Sequence, residues 1–272
     1  MTDAFADDGY QSGFLGPEVP FPRPVDPLAT VVDLIYPRFS VLLDPERRLA
    51  RMTGVNIDGE TLQDIPRTGT WRLDPRVADE DQAGPDLYAR NDLDRGHLVR
   101  RRDPGWGDEA QARRATEATF FYTNAAPQAA AFNQSKDLWL GLEDHILAHA
   151  ESRDARLSVF TAPILASDDP LYRGIRIPRH FLKIAAWSSD AGLAATGFVL
   201  DQTDLLDIRQ GILGIDGVGA FRTFQAPLAD IAEAAAVDLG PLIDADVLAP
   251  PGARAPDGDW RSLTAAEEII LG

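Results

Sequence analysis

The sequence predicts an α+β fold, in which strands and helices share a core without alternating regularly. Runs rich in β-branched and aromatic residues are separated by helical segments of unequal length, whereas a doubly wound sheet would need a repeating strand–helix order. The chain has 272 residues, 44% of them hydrophobic, and no cysteine. It is therefore long enough to bury a sizeable core, and that core is held without disulfides.

Turn residues and apolar runs define the first elements. Residues 1–28 are proline-rich and lack periodicity, which predicts either an extended arm over the body of the protein or a loose tail. Residues 38–44 and 47–59 are expected to be two strands joined by the turn "DPE". The charged stretch 70–84 is expected to be a loop.

The middle of the chain combines short elements with one long helix. Residues 95–101 are expected to form a short strand that ends at the turn "DPGWG", and Asp108 is a suitable N-cap for the next helix. A strand and a loop follow at 119–128. The clearest helix is 135–153, where Leu138, Leu142 and Ile146 lie on one apolar face.

The last third predicts three strands, at 156–165, 181–189 and 194–200, and a helix at 227–242 that ends near Gly240. The final 25 residues are rich in proline and glycine and then weakly helical. We divide the chain into an arm at 1–28, a central domain at 29–245 and a C-terminal tail at 246–272, with packing of the tail on the domain left open.

The charge is strongly negative, with one local exception. A net charge of −17 argues against broad, passive affinity for nucleic acid. Residues 90–102, however, contain five arginines around His97. No apolar run approaches the roughly 20 residues of a membrane span, so no membrane partner is expected. The N-terminus lacks the features of a secretory signal, so we expect a cytoplasmic protein, with non-classical export left open.

His97 and its neighbours suit the attack of water on a phosphodiester. An imidazole titrates near neutral pH and can accept a proton from water. Arg95 can bind phosphate oxygens with two parallel hydrogen bonds, and Gly96 allows a close approach to the backbone. A structural histidine is the competing interpretation of these three residues.

A second group of polar residues lies further along the chain, where Asn124 and Asn133 flank a loop that precedes the long helix. Asparagine is common in turns and caps, which is the simpler explanation of both. Alternatively, one amide oxygen binds a hard divalent cation, because Mg²⁺ retains several waters and needs few protein ligands.

Four motifs together resemble the DNA/RNA non-specific endonuclease family of ββα-metal nucleases, which includes endonuclease G. They are "DRGH" at 94–97, "TNAAPQ" at 123–128, "FNQ" at 132–134 and "WLGLED" at 139–144. The resemblance covers roughly residues 36 to 240. It implies the ββα-metal (His-Me finger) nuclease fold, with a central, mostly antiparallel sheet flanked by helices, and it makes 29–245 the nuclease domain.

The resemblance also implies roles for single residues. His97 would be the general base, and Asn133 would be the direct protein ligand of a Mg²⁺ ion, for which Mn²⁺ would substitute. Arg95 would contact phosphate, and Asn124 would shape the site. Arg67 best matches an arginine that family members carry upstream, with Arg72 as the alternative.

Glu143 would hold a metal-bound water, but its spacing departs from the family pattern. Family members usually place this glutamate eight residues after the asparagine, whereas Glu143 lies ten after Asn133. On one continuous helix ten residues rise roughly 15 Å, which is too far for shared water ligands. A later helix start, a bulge, or Asp137 as the carboxylate would resolve the difference.

The resulting hypothesis is a metal-dependent endonuclease that cuts DNA and RNA with little sequence preference. A catalytically weak nucleic-acid-binding or structural relative is the main alternative, and a zinc hydrolase using His145 and His149 is a remote one. Family members often form dimers, so a homodimer is an expectation of the resemblance. The sequence leaves open whether an inhibitor protein exists.

Overall fold

The structure is a computed structural model that describes residues 8–129, 155–209, 212–214, 222–248, 260–265 and 268–270. The expected long helix at 135–153 therefore lies outside the described residues. Within the described ranges, no helix is long and apolar enough to cross a membrane.

The described strands are β1 Arg23–Pro24, β2 Val32–Tyr36, β3 Phe39–Asp44, β4 Leu49–Asp58, β5 Leu93–His97, β6 Ala125–Ala129, β7 Arg156–Ile164, β8 Leu171–Tyr172, β9 Ile175–Arg176, β10 His180–Ser189, β11 Gly192–Asp201, β12 Asp207–Arg209, β13 Ile212–Gly214, β14 Arg222–Ala226, β15 Val237–Asp238 and β16 Arg261–Leu263. The described α-helices are α1 Pro85–Tyr88, α2 Glu109–Ala118 and α3 Leu228–Ala235. Single 3₁₀ turns lie at Gly59–Thr61, Asp79–Asp81, Tyr122–Asn124, Thr203–Leu205 and Gly240–Leu242.

One large antiparallel sheet organises the fold. Its eight strands run in the order β16-β14-β11-β10-β7-β4-β3-β2, and every neighbouring pair is antiparallel. Side chains alternate between the two faces of a strand. Along β10, Phe181 and Ala185 join a cluster on one face, whereas Leu182 and Ile184 join a cluster on the other.

Different segments cover the two faces of this sheet. Leu98 and Ala126 pack on the face that carries Phe181, and they bring the β5–β6 ribbon to that side. The opposite face is covered by Leu228 of α3 and by Val19 of the N-terminal segment. The N-terminal segment from residue 8 thus contributes to the core, while the division into an arm, a domain and a tail stays a prediction.

Five of the expected strands agree with the structure, namely 38–44, 47–59, 156–165, 181–189 and 194–200. The strand expected at 95–101 begins instead at Leu93 and ends at His97. The helix expected at 227–242 ends at Ala235, because Ala236 adopts a left-handed conformation with φ 52°. This C-cap reverses the chain, and Val237 then pairs with Pro24.

The edge strand β2 was not predicted from the sequence. Its burial alternates along the strand, with Leu34 and Tyr36 buried and Asp33 and Ile35 exposed. This period of two is a strand signal. It is short and directly follows the proline-rich segment, which masked it.

Candidate active site

His97 and Arg95 lie on an antiparallel ribbon of two strands. In the pairing of β5 with β6, His97 lies opposite Ala125, Arg95 opposite Pro127 and Gly96 opposite Ala126. Because side chains alternate along a strand, Arg95 and His97 project from the same face of the ribbon. The two residues that the sequence analysis coupled are therefore side by side in the structure.

Gly96 lies under the side chain of Gln128 on the opposite face. A Cβ atom placed on Gly96 would lie 2.0 Å from the Gln128 Oε1 atom and 2.1 Å from its Cδ atom. Gln128 is buried, and its Oε1 atom accepts no hydrogen bond within the described residues. The close approach expected at Gly96 is thus made by Gln128.

Two aromatic rings enclose the imidazole of His97. The ring centroid of Trp71 lies 4.5 Å from that of His97, and the Phe120 centroid lies 4.9 Å away with its ring at 90° to the imidazole. The Nε2 atom is buried and has no hydrogen-bond partner among the described residues. Neither Trp71 nor Phe120 was predicted as a site residue from the sequence. Their only signal was an aromatic in each of the segments "TWR" and "TFFY".

The surroundings of His97 keep its imidazole neutral. Burial, followed by repulsion from the positive charges of Arg67 and Arg101, lowers the pKa of His97 to about 3. Arg100 and Arg95 add smaller repulsions. A neutral imidazole with an unpartnered nitrogen can accept a proton, so the local chemistry is that of a base.

Asn124 fixes the chain directly after His97. Its Oδ1 atom accepts a hydrogen bond of 2.9 Å from the Val99 amide, and its Nδ2 atom donates to the carbonyl of Val99 at 2.9 Å and to that of Thr119 at 3.0 Å. The Leu98 amide also donates to the Asn124 carbonyl at 3.0 Å. These bonds join the end of β5 to the turn that begins β6. Asn124 itself is fully buried.

The two candidates for the upstream arginine differ in their surroundings. Arg67 is exposed, and among the neighbouring charges it lowers the pKa of His97 most. The guanidinium of Arg72 instead stacks on the Phe121 ring, with its carbon 4.1 Å from the ring centroid. Arg101 donates a hydrogen bond of 2.8 Å to the Ile65 carbonyl, which joins the basic turn to the segment that carries Arg67. This arrangement favours Arg67.

The expected metal ligands lie outside the described residues. This holds for Asn133, for Glu143 and its alternative Asp137, and for the histidine pair His145 and His149. Within the described part of the chain, no group of three His, Asp or Glu side chains is close enough to hold a metal ion. The metal site stays a prediction that depends on the segment 130–154.

The large antiparallel sheet, with a two-stranded ribbon packed against it and few helices, is consistent with the α+β fold of the ββα-metal nucleases. The chain belongs to the DNA/RNA non-specific endonuclease family, whose model matches residues 24–246. The α+β, ββα-metal fold expected from the sequence is thereby confirmed. The family is one of nucleic-acid hydrolases.

We compared the chain with two similar proteins. The uncharacterized protein y4fB of Sinorhizobium fredii is 38% identical in an alignment 250 residues long that covers 83% of this chain. The chain spans only 38% of the length of that relative. A chain in the crystal structure of the EndoG/EndoGI complex superposes with a TM-score of 0.58, covers 76% of this chain and 84% of its own, and is 18% identical. At that identity the likeness concerns the fold alone.

Proposed function

We propose that the protein is a metal-dependent endonuclease that hydrolyses phosphodiester bonds of DNA and RNA with little sequence preference. The observation that carries the proposal is the neutral imidazole of His97 among arginines, whose Nε2 atom has no hydrogen-bond partner in the described part of the chain, in a chain that belongs to a nuclease family. Contacts to phosphate alone position a nucleic acid without selecting its sequence.

In this proposal His97 removes a proton from the water that attacks phosphorus in line with the leaving 3′-oxygen. Arg95, on the same face of β5, binds the non-bridging phosphate oxygens, and Arg67 balances the charge that develops on them. Asn124 holds the backbone that follows His97 and so maintains the direction of the imidazole. The products would carry 5′-phosphates.

We further propose that the cofactor is Mg²⁺, with Mn²⁺ as a substitute. Asn133 would be its direct protein ligand, and Glu143, or Asp137 in its place, would hold one of its waters. A neutral amide ligand suits this ion, because it leaves the positive charge available to stabilise the phosphate and the leaving oxygen. The described residues fit this arrangement in that none of them forms a hydrogen bond with the Nε2 atom of His97.

Plasmid nicking tests the proposal. Wild-type protein should nick DNA with Mg²⁺ and stop when a chelator is added, and His97→Ala should reduce the rate by about 10²- to 10⁴-fold. His180→Ala is the matched control, since His180 begins β10 and its Nε2 atom lies 3.4 Å from Asp201. Absence of metal-dependent cleavage by the wild type, or full cleavage by His97→Ala, would contradict the proposal.

The second candidate is a catalytically weak nucleic-acid-binding relative, which the altered spacing between Asn133 and Glu143 favours. It predicts that wild-type protein binds DNA in a mobility-shift experiment without nicking it.

On the family resemblance we also propose that the protein is a homodimer, which light scattering would detect. The existence of the EndoG/EndoGI complex motivates a protein inhibitor, and the cytoplasm is the proposed location.

A further inference from the structure

Asp74 is a fully buried aspartate that lies three residues after Trp71. Its Oδ2 atom accepts hydrogen bonds of 2.7 Å from the Tyr36 hydroxyl and of 2.7 Å from the Arg76 Nη2 atom, and its Oδ1 atom accepts one of 3.0 Å from the Arg76 Nε atom. Its amide donates to the Gln82 Oε1 atom at 2.8 Å, and its carbonyl accepts from the Gln82 Nε2 atom at 2.9 Å. Burial favours the neutral acid, but the hydrogen bonds from Arg76 and Tyr36 outweigh it and lower the pKa of Asp74. The carboxyl group is therefore ionised at neutral pH, and both its side chain and its backbone are held in place.

The Tyr36 hydroxyl connects Asp74 to the turn that carries Asn124. A phenol has one hydrogen to donate, and an ionised carboxylate can only accept. Tyr36 therefore donates to Asp74 and accepts from the Thr123 hydroxyl, whose oxygen lies 2.6 Å away. Thr123 is buried and directly precedes Asn124. One carboxylate is thereby connected to two segments that contact His97 or the chain that follows it.

The segment between Trp71 and Asp74 is short and has one other attachment. The Arg72 amide donates to the Phe120 carbonyl at 3.0 Å, and the Tyr122 amide donates to the Arg72 carbonyl at 2.9 Å. Two bonds at a single residue fix its distance from the neighbouring chain but leave the segment free to rotate about them. Hydrogen bonds are directional, so those of Asp74 remove this freedom and limit where the Trp71 side chain can lie.

The indole of Trp71 depends on this support because it is only partly buried beside His97. Its ring centroid lies 4.5 Å from that of the imidazole, and it also packs on the rings of Phe120 and Tyr122, at 5.4 Å and 5.7 Å. No described residue forms a hydrogen bond with the His97 Nε2 atom, so the direction of the imidazole depends on the rings that enclose it. A displaced Trp71 would therefore leave the imidazole freer to turn.

We propose that Asp74 is a positioning residue of this nuclease, which holds Trp71 against His97 and so fixes the direction of the imidazole. The inference rests on the proposed function. A misplacement of about 1 Å in groups that must be aligned can reduce a rate by about 100-fold. The backbone bonds of Arg72 remain when Asp74 loses its charge, so we expect a smaller loss, of about tenfold in kcat.

Asp169 provides a matched control. It is also a buried aspartate bound by an arginine, since its Oδ2 atom accepts hydrogen bonds of 2.6 Å from the Arg47 Nη2 atom and of 3.0 Å from the Ala166 amide. These bonds join the loop between β7 and β8 to the turn between β3 and β4. Loss of the charge of Asp169 should destabilise the protein without moving Trp71.

The experiment compares wild type, Asp74→Asn and Asp169→Asn, each at a temperature where circular dichroism shows it folded. Nuclear Overhauser cross-peaks between the Trp71 and His97 rings report their contact without reference to activity, and nicking assays give kcat and KM. We expect Asp74→Asn to weaken these cross-peaks and to lose about tenfold in kcat with little change in KM, while Asp169→Asn matches wild type. The pKa of His97 should also rise above its value of about 3 in Asp74→Asn, because the imidazole becomes better hydrated.

Wild-type cross-peaks and kcat in Asp74→Asn would overturn the inference, and so would an equal loss in Asp169→Asn, or a weaker ring contact without a loss of kcat, or the reverse. If Asp74→Asn does not fold, Tyr36→Phe decides in the same way, because it keeps the ring that stacks on Phe39 at 4.6 Å and removes only the hydroxyl between Asp74 and Thr123. Weaker cross-peaks with a reduced kcat in that variant support the inference, and wild-type values overturn it. Failure of the proposed function is distinct, since wild type itself would then not cleave DNA with metal, while the cross-peaks would still show whether Asp74 holds the two rings together.

Discussion

At the scale of single residues, Gly96 and His97 are adjacent in β5 and face different constraints. Gly96 lies against the Gln128 side chain on one face of the ribbon. His97 is enclosed by Trp71 and Phe120 on the other side and is repelled by arginines. The first constraint is steric and the second is electrostatic, so they predict different consequences of substitution.

Gly96→Ala should destabilise the protein because its new Cβ atom would overlap the Gln128 side chain. We expect the free energy of unfolding to fall by about 2 kcal/mol, as for other overpacked sites. Urea denaturation measures it. Gly13→Ala is the control, since a Cβ there would lie at an ordinary 3.4 Å from Glu18.

A double variant identifies the cause of that loss. Adding Gln128→Ala to Gly96→Ala removes the overlapping atoms, so part of the stability should return. If the double variant is as unstable as the sum of the two single variants, the steric explanation is wrong.

His97 should not gain a proton above about pH 4 in the free protein, because its pKa is lowered to about 3. Between pH 6.5 and 4 the unfolded chain then binds one more proton than the native state, so this residue lowers stability as the pH falls. For each pH unit of acidification, this residue then lowers the free energy of unfolding by up to about 1.4 kcal/mol. Nitrogen-15 NMR of the imidazole measures the titration, and denaturation of His97→Asn should show a shallower loss over this range.

Removal of one neighbouring charge should raise the pKa of His97. Arg67 exerts the largest single repulsion, so Arg67→Gln should shift the NMR titration to higher pH. Arg113→Gln is the control, because Arg113 is paired at 3.0 Å with Glu109 on α2, whereas the repulsions on His97 come from Arg67, Arg101, Arg100 and Arg95. An unchanged titration in Arg67→Gln would show that the charge of Arg67 does not lower the pKa of His97.

At the scale of elements, side chains reinforce the backbone hydrogen bonds that hold the turn between β5 and α2. Asn124 binds the backbone at Val99. Further on, the guanidinium of Arg38 donates to the carbonyls of Pro104, at 3.0 Å, and of Trp106, and it lies 3.9 Å from the centroid of the Trp106 ring. Because Asn124 takes the hydrogen bonds of Val99, the strand ends at His97.

Asn124→Ala should disconnect this turn from the start of β6. It leaves the amide of Val99 and the carbonyls of Val99 and Thr119 without their partner in a buried place, for which we expect a loss of about 3 kcal/mol. Asn91→Ala should cost about 1 kcal/mol, because its hydrogen bonds are only partly buried. Thermal and urea denaturation compare the two, and equal losses would contradict the prediction.

At the scale of the whole molecule, the protein is acidic around a basic site. The net charge is −17, whereas Arg67, Arg95 and Arg101 all act on the imidazole of His97. Nucleic acid should therefore be attracted near the site and repelled elsewhere. Binding of nucleic acid then depends on few phosphate contacts, so the loss of any one of them should weaken it measurably.

Arg95→Gln should reduce the dependence of DNA binding on salt. Each lost phosphate contact lowers the slope of log Kd against log salt concentration by about one. Fluorescence anisotropy with a duplex, in the presence of chelator, measures this slope. Arg23→Gln should leave it unchanged, because Arg23 is paired with Asp33 at 2.6 Å, and an equal change in the two variants would contradict a local site.

The sequence by itself determined the family, the α+β fold and five strands of the large sheet. Their apolar patterns are local, and the four motifs keep their order along the chain. It also predicted that His97, Arg95 and Asn124 belong to one site, because the motifs that contain them, "DRGH" and "TNAAPQ", are both part of the family pattern. The roles of these residues stay predictions.

Only the tertiary structure decided which distant residues enclose that neighbourhood. Trp71 reaches His97 from a loop with no periodic pattern, Gln128 covers Gly96 across the ribbon, and Gln202 holds Ala129 from a position more than seventy residues away. Side-chain contacts between segments far apart in sequence leave no local signal. They arise from the packing of the ribbon on the large sheet, which also partly buries His97 and so contributes to its lowered pKa.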